Sequence, residues 1–100
     1  MTSDLIRQIE EERARIVALD STLDGQRTPY LKARLRFAGH TLDDAEDGLR
    51  YAAKAPTDYN VAMWLDFTAF NIHVAAEMRQ KVKAAVDKHG GPEHVIEMGG

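Results

Sequence analysis

Three prolines and a few clustered glycines cut this chain into three long pieces, and that punctuation constrains its fold more than any other feature. Gly25 ends the first periodic stretch. Thr28 and Pro29 open the second, with Thr28 as N-cap and Pro29 at the first helical position, where its missing N–H costs nothing. Pro56 disfavours helix at Ala55, and Thr57-Asp58 supplies a new cap with an acid in the first turn. Gly90, Gly91 and Pro92 close the third piece. Helices over about 3–24, 29–55 and 57–89 are expected, in one domain spanning 1–90 with a tail at 91–100. Connections this short make neighbouring helices antiparallel.

Periodicity supports each helix. The first carries Leu5, Ile9, Glu12, Ile16, Leu19 and Leu23 at steps of four and three. The second carries Leu31, Leu35, Ala38, Leu42, Ala45, Leu49 and Ala52, where alternating Leu and Ala let two axes approach closely. The third runs Val61, Leu65, Thr68, Ile72, Ala75, Arg79, Val82, Val86. Such steps predict an all-α fold, an antiparallel three-helix bundle or long helical hairpin with coiled-coil-like packing. Fourteen alanines among 100 residues favour the same state. Gly39 and Gly48 sit singly inside the second helix, where each costs about 1 kcal/mol relative to Ala. Close packing is the expected reason for both.

The third helix has more apolar surface than two neighbours can cover. Turned by about 100° per residue, the third helix, with the segment VAMWLDFTAFNIHVAAEM at 61–78, shows one clearly polar strip: Asp66, His73, Glu77 and Gln80. The surplus carries Met63, Phe67, Phe70 and Val74, too much to leave wet. The expectation is a surface for a second copy or a protein partner, and a homodimer or higher assembly. On the second helix, Arg36, Phe37, His40, Asp44 and Tyr51 form a candidate outer binding face with two aromatic anchors.

Charge and composition exclude other classes. The chain has no cysteine, which removes disulfides, thiolate metal sites and thiol catalysis. A net charge of −3 argues against a sequence-independent grip on nucleic acid, despite Arg27, Lys32, Arg34 and Arg36 at the start of helix 2. Those cations and Asp20 and Asp24 across the turn each oppose a helix dipole, and can neutralise one another. The longest apolar run, Val61 to Leu65, is far short of the roughly 20 residues that span a bilayer. MTSDLIRQIEEE has no signal-like pattern, so no membrane association and a cytoplasmic location are expected.

Polar residues at inward positions raise a question of chemistry. Glu12, Thr41 and Asn71 fall at about one height and form a candidate polar layer. A ligand site is one reading; a register device, like the single Asn of a coiled-coil seam, is the favoured one. His73 and Glu77 lack the two-histidine or ExxH spacing of a metal site. A carboxylate–metal enzyme would need Glu10, Glu11 and Glu12 to meet Asp43, Asp44, Glu46 and Asp47, although such runs are mostly solvated faces. No metal or cofactor is expected.

The stretch AGHTLDDA at 38–45 resembles the phospho-accepting helix of histidine phosphotransfer domains, and the resemblance implies a signalling role for His40. Asp43 and Asp44 stand where that family has Lys and Gly, and two carboxylates repel a phosphoryl group. No nucleophile elbow or phosphate-binding glycine loop is present. The tail offers Val95, Ile96 and Met98 as a short docking segment or a cover for helix 3, and its last two glycines read as a flexible end. The functional class expected is a non-enzymatic interaction or regulatory module: an adaptor, inhibitor or subunit that self-associates through helix 3.

Overall fold

The computed structural model describes residues 2–23 and 29–88. Among them, all but Ala55, Pro56 and Thr57 are helical: α1 Thr2–Leu23, α2 Pro29–Lys54 and α3 Asp58–Lys88. The fold is all-α. No described helix is long and apolar enough to cross a membrane. The caps assigned to Gly25 and Thr28, the Asp24–Arg27 pairing, the helix stop at Gly90–Pro92 and the tail at 91–100 lie outside the described residues.

Local chemistry sets the break between α2 and α3. Pro56 keeps Ala55 out of the helical region, and α2 ends at Lys54 with a tightened Ala55 N–H to Ala52 carbonyl bond of 3.2 Å. Thr57 then caps α3: its hydroxyl oxygen accepts the Asn60 backbone N–H at 3.1 Å and donates to Asn60 Oδ1 at 3.0 Å. That reciprocal pair satisfies one of the open donors of the new helix. Thr57 is the cap rather than the first helical residue, so α3 begins one position later than the pattern suggested.

α2 and α3 form an antiparallel hairpin and share the largest contact, while α1 leans on both. The pairing is visible in Thr68 hydroxyl to Ala45 carbonyl at 3.1 Å, Tyr51 against Trp64, and Arg34 Nη1 to Met78 sulfur at 3.7 Å. Two apolar clusters hold the helices. Ile9, Ala38, Leu42, Ala45, Ile72 and Ala75 form the first; Leu23, Leu31, Leu35 and Val82 form the second. These are inward positions of the periodic series, and each Leu or Ile buried this way contributes about 1.5–3 kcal/mol.

Gly48 explains how α2 and α3 come so close. A Cβ there would sit 2.3 Å from Thr68 Oγ1 and 3.3 Å from the Trp64 carbonyl oxygen. Gly39 is different. A Cβ there meets nothing within 4 Å, which corrects the expectation that both glycines serve close packing.

α1 also stops short of one end of the hairpin. Ile9 shares its cluster with Leu42 and Ile72. At 1.5 Å per residue, Thr2 lies about 10 Å beyond Ile9, but Lys54 lies about 18 Å beyond Leu42 and Asp58 about 21 Å beyond Ile72. The last turns around Tyr51, Tyr59 and Met63 therefore project past α1.

Candidate interaction surface

Among the described residues, α1 covers one flank of the hairpin and nothing covers the other. On α2, Asp43 and Glu46 point to the covered flank, where Arg13 of α1 donates to Asp43 Oδ1 at 2.7 Å and also to Glu46. On α3, Ala69, Ile72, His73, Ala76, Arg79 and Gln80 line a groove with Gln8, Glu12 and Arg15 of α1. Rotation by about 100° per residue places Phe37, Asp44 and Tyr51 of α2 on the opposite flank. It places Phe67, Asn71, Val74 and Met78 of α3 there too.

Phe37, Asp44 and Tyr51 thus share one face of the molecule with the α3 surface, while Arg36 also borders the groove against α1. Met63, Phe67 and Phe70 are 45%, 39% and 65% exposed, and Phe37 and Tyr51 are 50% and 54% exposed. Val74 is half-buried between them, and Arg36, His40 and Asp44 are exposed. Arg36, Phe37, His40, Thr41 and Asp44 line a shallow groove with Ala33 along α2. Trp64 ties the halves together. Its ring centroid is 4.7 Å from Tyr51 and 5.5 Å from Phe67, the latter nearly edge-on. Such pairs add about 0.5–1.5 kcal/mol beyond area burial. Trp64 had no assigned surface in the sequence; its place follows from the close approach at Gly48, whose added Cβ would also lie 2.9 Å from the Phe67 ring.

The candidate polar layer is rearranged. Glu12 and Thr41 are buried and Asn71 is half-buried, but the three do not bond to one another. Thr41 donates to the Phe37 carbonyl at 2.9 Å and Asn71 to the Phe67 carbonyl at 2.8 Å, each back into its own helix. Glu12 instead takes Arg79, through Nε to Oε2 and through Nη2 to Oε1 at 3.2 Å, with Arg15 3.6 Å away. Arg79 stands in the inward series of α3, so the signal for this pair was present. Among the described residues no buried side-chain nitrogen or oxygen lacks a partner.

The remaining candidates are bound up in charge pairs. Asp43 and Glu46 hold the Arg13 guanidinium above its ordinary pKa, chiefly through the Asp43 hydrogen bond, with burial pulling the other way. Asp47 pairs with Arg50 at the surface. His40 Nδ1 is 3.8 Å from Asp43, and His73 Nε2 is 3.0 Å from Glu77. Glu12 is spent on Arg79, far from the acidic run of α2 in bonding terms. Among the described residues, no three His, Asp or Glu side chains cluster closely enough to hold a metal ion. Asp20, Lys32 and Arg36 line one groove between α1 and α2, bringing acidic and basic helix ends together.

Neither a family model, nor a characterised protein, nor a solved structure matches this chain. Function must therefore be read from the surface itself.

Proposed function

We propose that the protein is a cytoplasmic, non-enzymatic interaction or regulatory module: an adaptor, an inhibitor of another complex, or a subunit. Its framework is an antiparallel three-helix bundle with coiled-coil-like packing, and it self-associates through α3. The observation that carries this reading is the open flank of the hairpin. Phe37, Tyr51, Met63, Phe67 and Phe70 all surface there, each at least 39% exposed. Single exposed apolar residues need no explanation, but a contiguous set on one face marks a binding surface. The groove of Ala33, Phe37, His40 and Asp44 continues that face onto α2, where a second protein partner would find aromatic anchors beside charge.

Light scattering coupled to size-exclusion chromatography tests the proposal. The expected mass is at least twice the 11.2 kDa of one chain. Phe70→Glu is expected to return it to one chain without loss of helix content. A wild-type monomer at tens of micromolar, unchanged by Phe70→Glu, overturns the reading. Phosphoryl labelling that vanishes in His40→Ala would replace it with a signalling role. Divalent-metal stabilisation lost in both Glu12→Ala and Asp43→Ala would replace it with a carboxylate–metal enzyme.

A further inference from the structure

We propose that the second copy meets α3 in the antiparallel sense, about a two-fold axis passing between Phe67 and Phe70. This rests on the self-association proposed above and adds its orientation and register. α3 carries two seams. One, Thr68, Ile72, Ala75 and Val82, is buried within the chain. The other, Asn60, Met63, Phe67, Phe70, Val74 and Glu77, repeats at steps of three and four on the open flank. Its three largest apolar members are 39% to 65% exposed. A second heptad seam that none of the described residues covers is the mark of a helix shared between two units.

The seam is complementary to itself when reversed. A two-fold between Phe67 and Phe70 sets Phe67 against Phe70 of the partner subunit and Met63 against Val74 of the partner subunit. The apolar stretch then ends at both sides with Asn60 opposite Glu77 of the partner subunit, an amide facing a carboxylate. On one border, Asp66 faces His73 of the partner subunit, while within each helix His73 stays 3.0 Å from Glu77; on the other, Trp64 faces Asn71 of the partner subunit. Symmetry makes every one of these contacts twice. A parallel, in-register pair would instead stack Glu77 on its own copy and Lys81 on its own copy, and like charges in register are penalised. Sliding the antiparallel pair by one heptad would bury Phe67 against Glu77 of the partner subunit in one direction and Phe70 against Asn60 of the partner subunit in the other.

The area also suits a second copy. Tyr51, Met63, Phe67 and Phe70 are about half exposed, and large side chains of this kind bury roughly 200 Å² each, giving about 400 Å². Trp64, Val74 and the polar border bring this towards the ~800 Å² per partner of a stable interface.

Because the chain has no cysteine, introduced thiols report register without background. Met63→Cys and Val74→Cys are purified separately, mixed and mildly oxidised. The expected result is a mixed disulfide dimer, with little cross-linking of either variant alone. The two sites cannot bridge within one helix, being about 16 Å apart along its axis. A charge exchange supplies a second readout that needs no loss of apolar side chains. Asp66→Lys should weaken the dimer about 3- to 10-fold, and Asp66→Lys with His73→Glu should restore it. Those two positions are seven residues apart on one helix and do not touch, so restoration must come from across the two-fold. Val74→Cys linking efficiently to itself, or a double charge variant no tighter than Asp66→Lys, overturns the proposed register while self-association stands. A monomeric wild type removes both.

Discussion

Glu12 and Arg79 stand 67 positions apart in the chain and form a two-pronged ion pair between the two apolar clusters. Glu12 is 2% exposed and Arg79 18% exposed. A buried pair of this kind gains little net stability, because desolvation consumes most of the Coulomb attraction. Its effect is on register: sliding α1 against α3 breaks this pair and leaves Glu12 with only Arg15 of its own helix.

Removing one partner should therefore be far worse than removing both. Arg79→Met or Glu12→Leu alone is expected to cost about 3–5 kcal/mol, and the double variant should fall within about 1 kcal/mol of wild type or exceed it. Urea unfolding of the four proteins closes the cycle. A pair of small, additive losses would contradict the reading.

The two helical glycines should respond with opposite signs to the same substitution. Gly39→Ala puts a methyl into open space and is expected to stabilise by up to about 1 kcal/mol. Gly48→Ala drives a methyl at Thr68, Phe67 and the Trp64 backbone, for an expected loss of about 1–3 kcal/mol. Thermal unfolding measures both.

Arg13 spans to Asp43 and Glu46 at the surface, with 37% of its side chain exposed. Arg13→Ala should cost no more than about 1 kcal/mol, and less in high salt. The guanidinium pKa is raised by folding, so the Arg13 charge contributes fully below its unfolded value and is lost only as pH climbs through the higher folded one. Its own titration should thus leave the Arg13→Ala difference unchanged from about pH 6 to pH 9. A change within that window would mean that another group is responsible.

Trp64 is the single tryptophan, and it borders the proposed interface beside Tyr51. Dilution of the wild type should move its emission to the red as the flank becomes wet. Phe70→Glu should already sit at the red limit and show no dependence on concentration. An emission maximum independent of concentration in both proteins would argue that nothing covers that flank.

Much of the architecture was legible in the residues. Pro29 and Pro56 mark helix boundaries by backbone sterics, which operate locally. Ile9, Leu42, Ile72 and Val82 announce their burial through spacing. Pairings across helices were less legible. Glu12 and Arg79 each stand at an inward position, but their meeting depends on how α1 is rotated against α3. Gly39 and Gly48 look alike in sequence and differ only in which flank faces a neighbour. For the same reason the Met63–Phe67–Phe70–Val74 surface and the Phe37–Tyr51 face read as two features, until the hairpin sets them side by side.

α1 buries only three residues against the hairpin, Ile9, Glu12 and Leu23, one of them an acid, with Leu5, Ile16 and Leu19 half-buried beside them. So lightly seated a helix is the part of the molecule that lifts first, and its amides should exchange with solvent at lower free energy than those around Ala45 and Ala75. Once it swings away, Leu42 and Ile72 are bared on the side of the hairpin opposite Phe67. The hairpin is then a plank with adhesive on both faces, one of them under a removable cover.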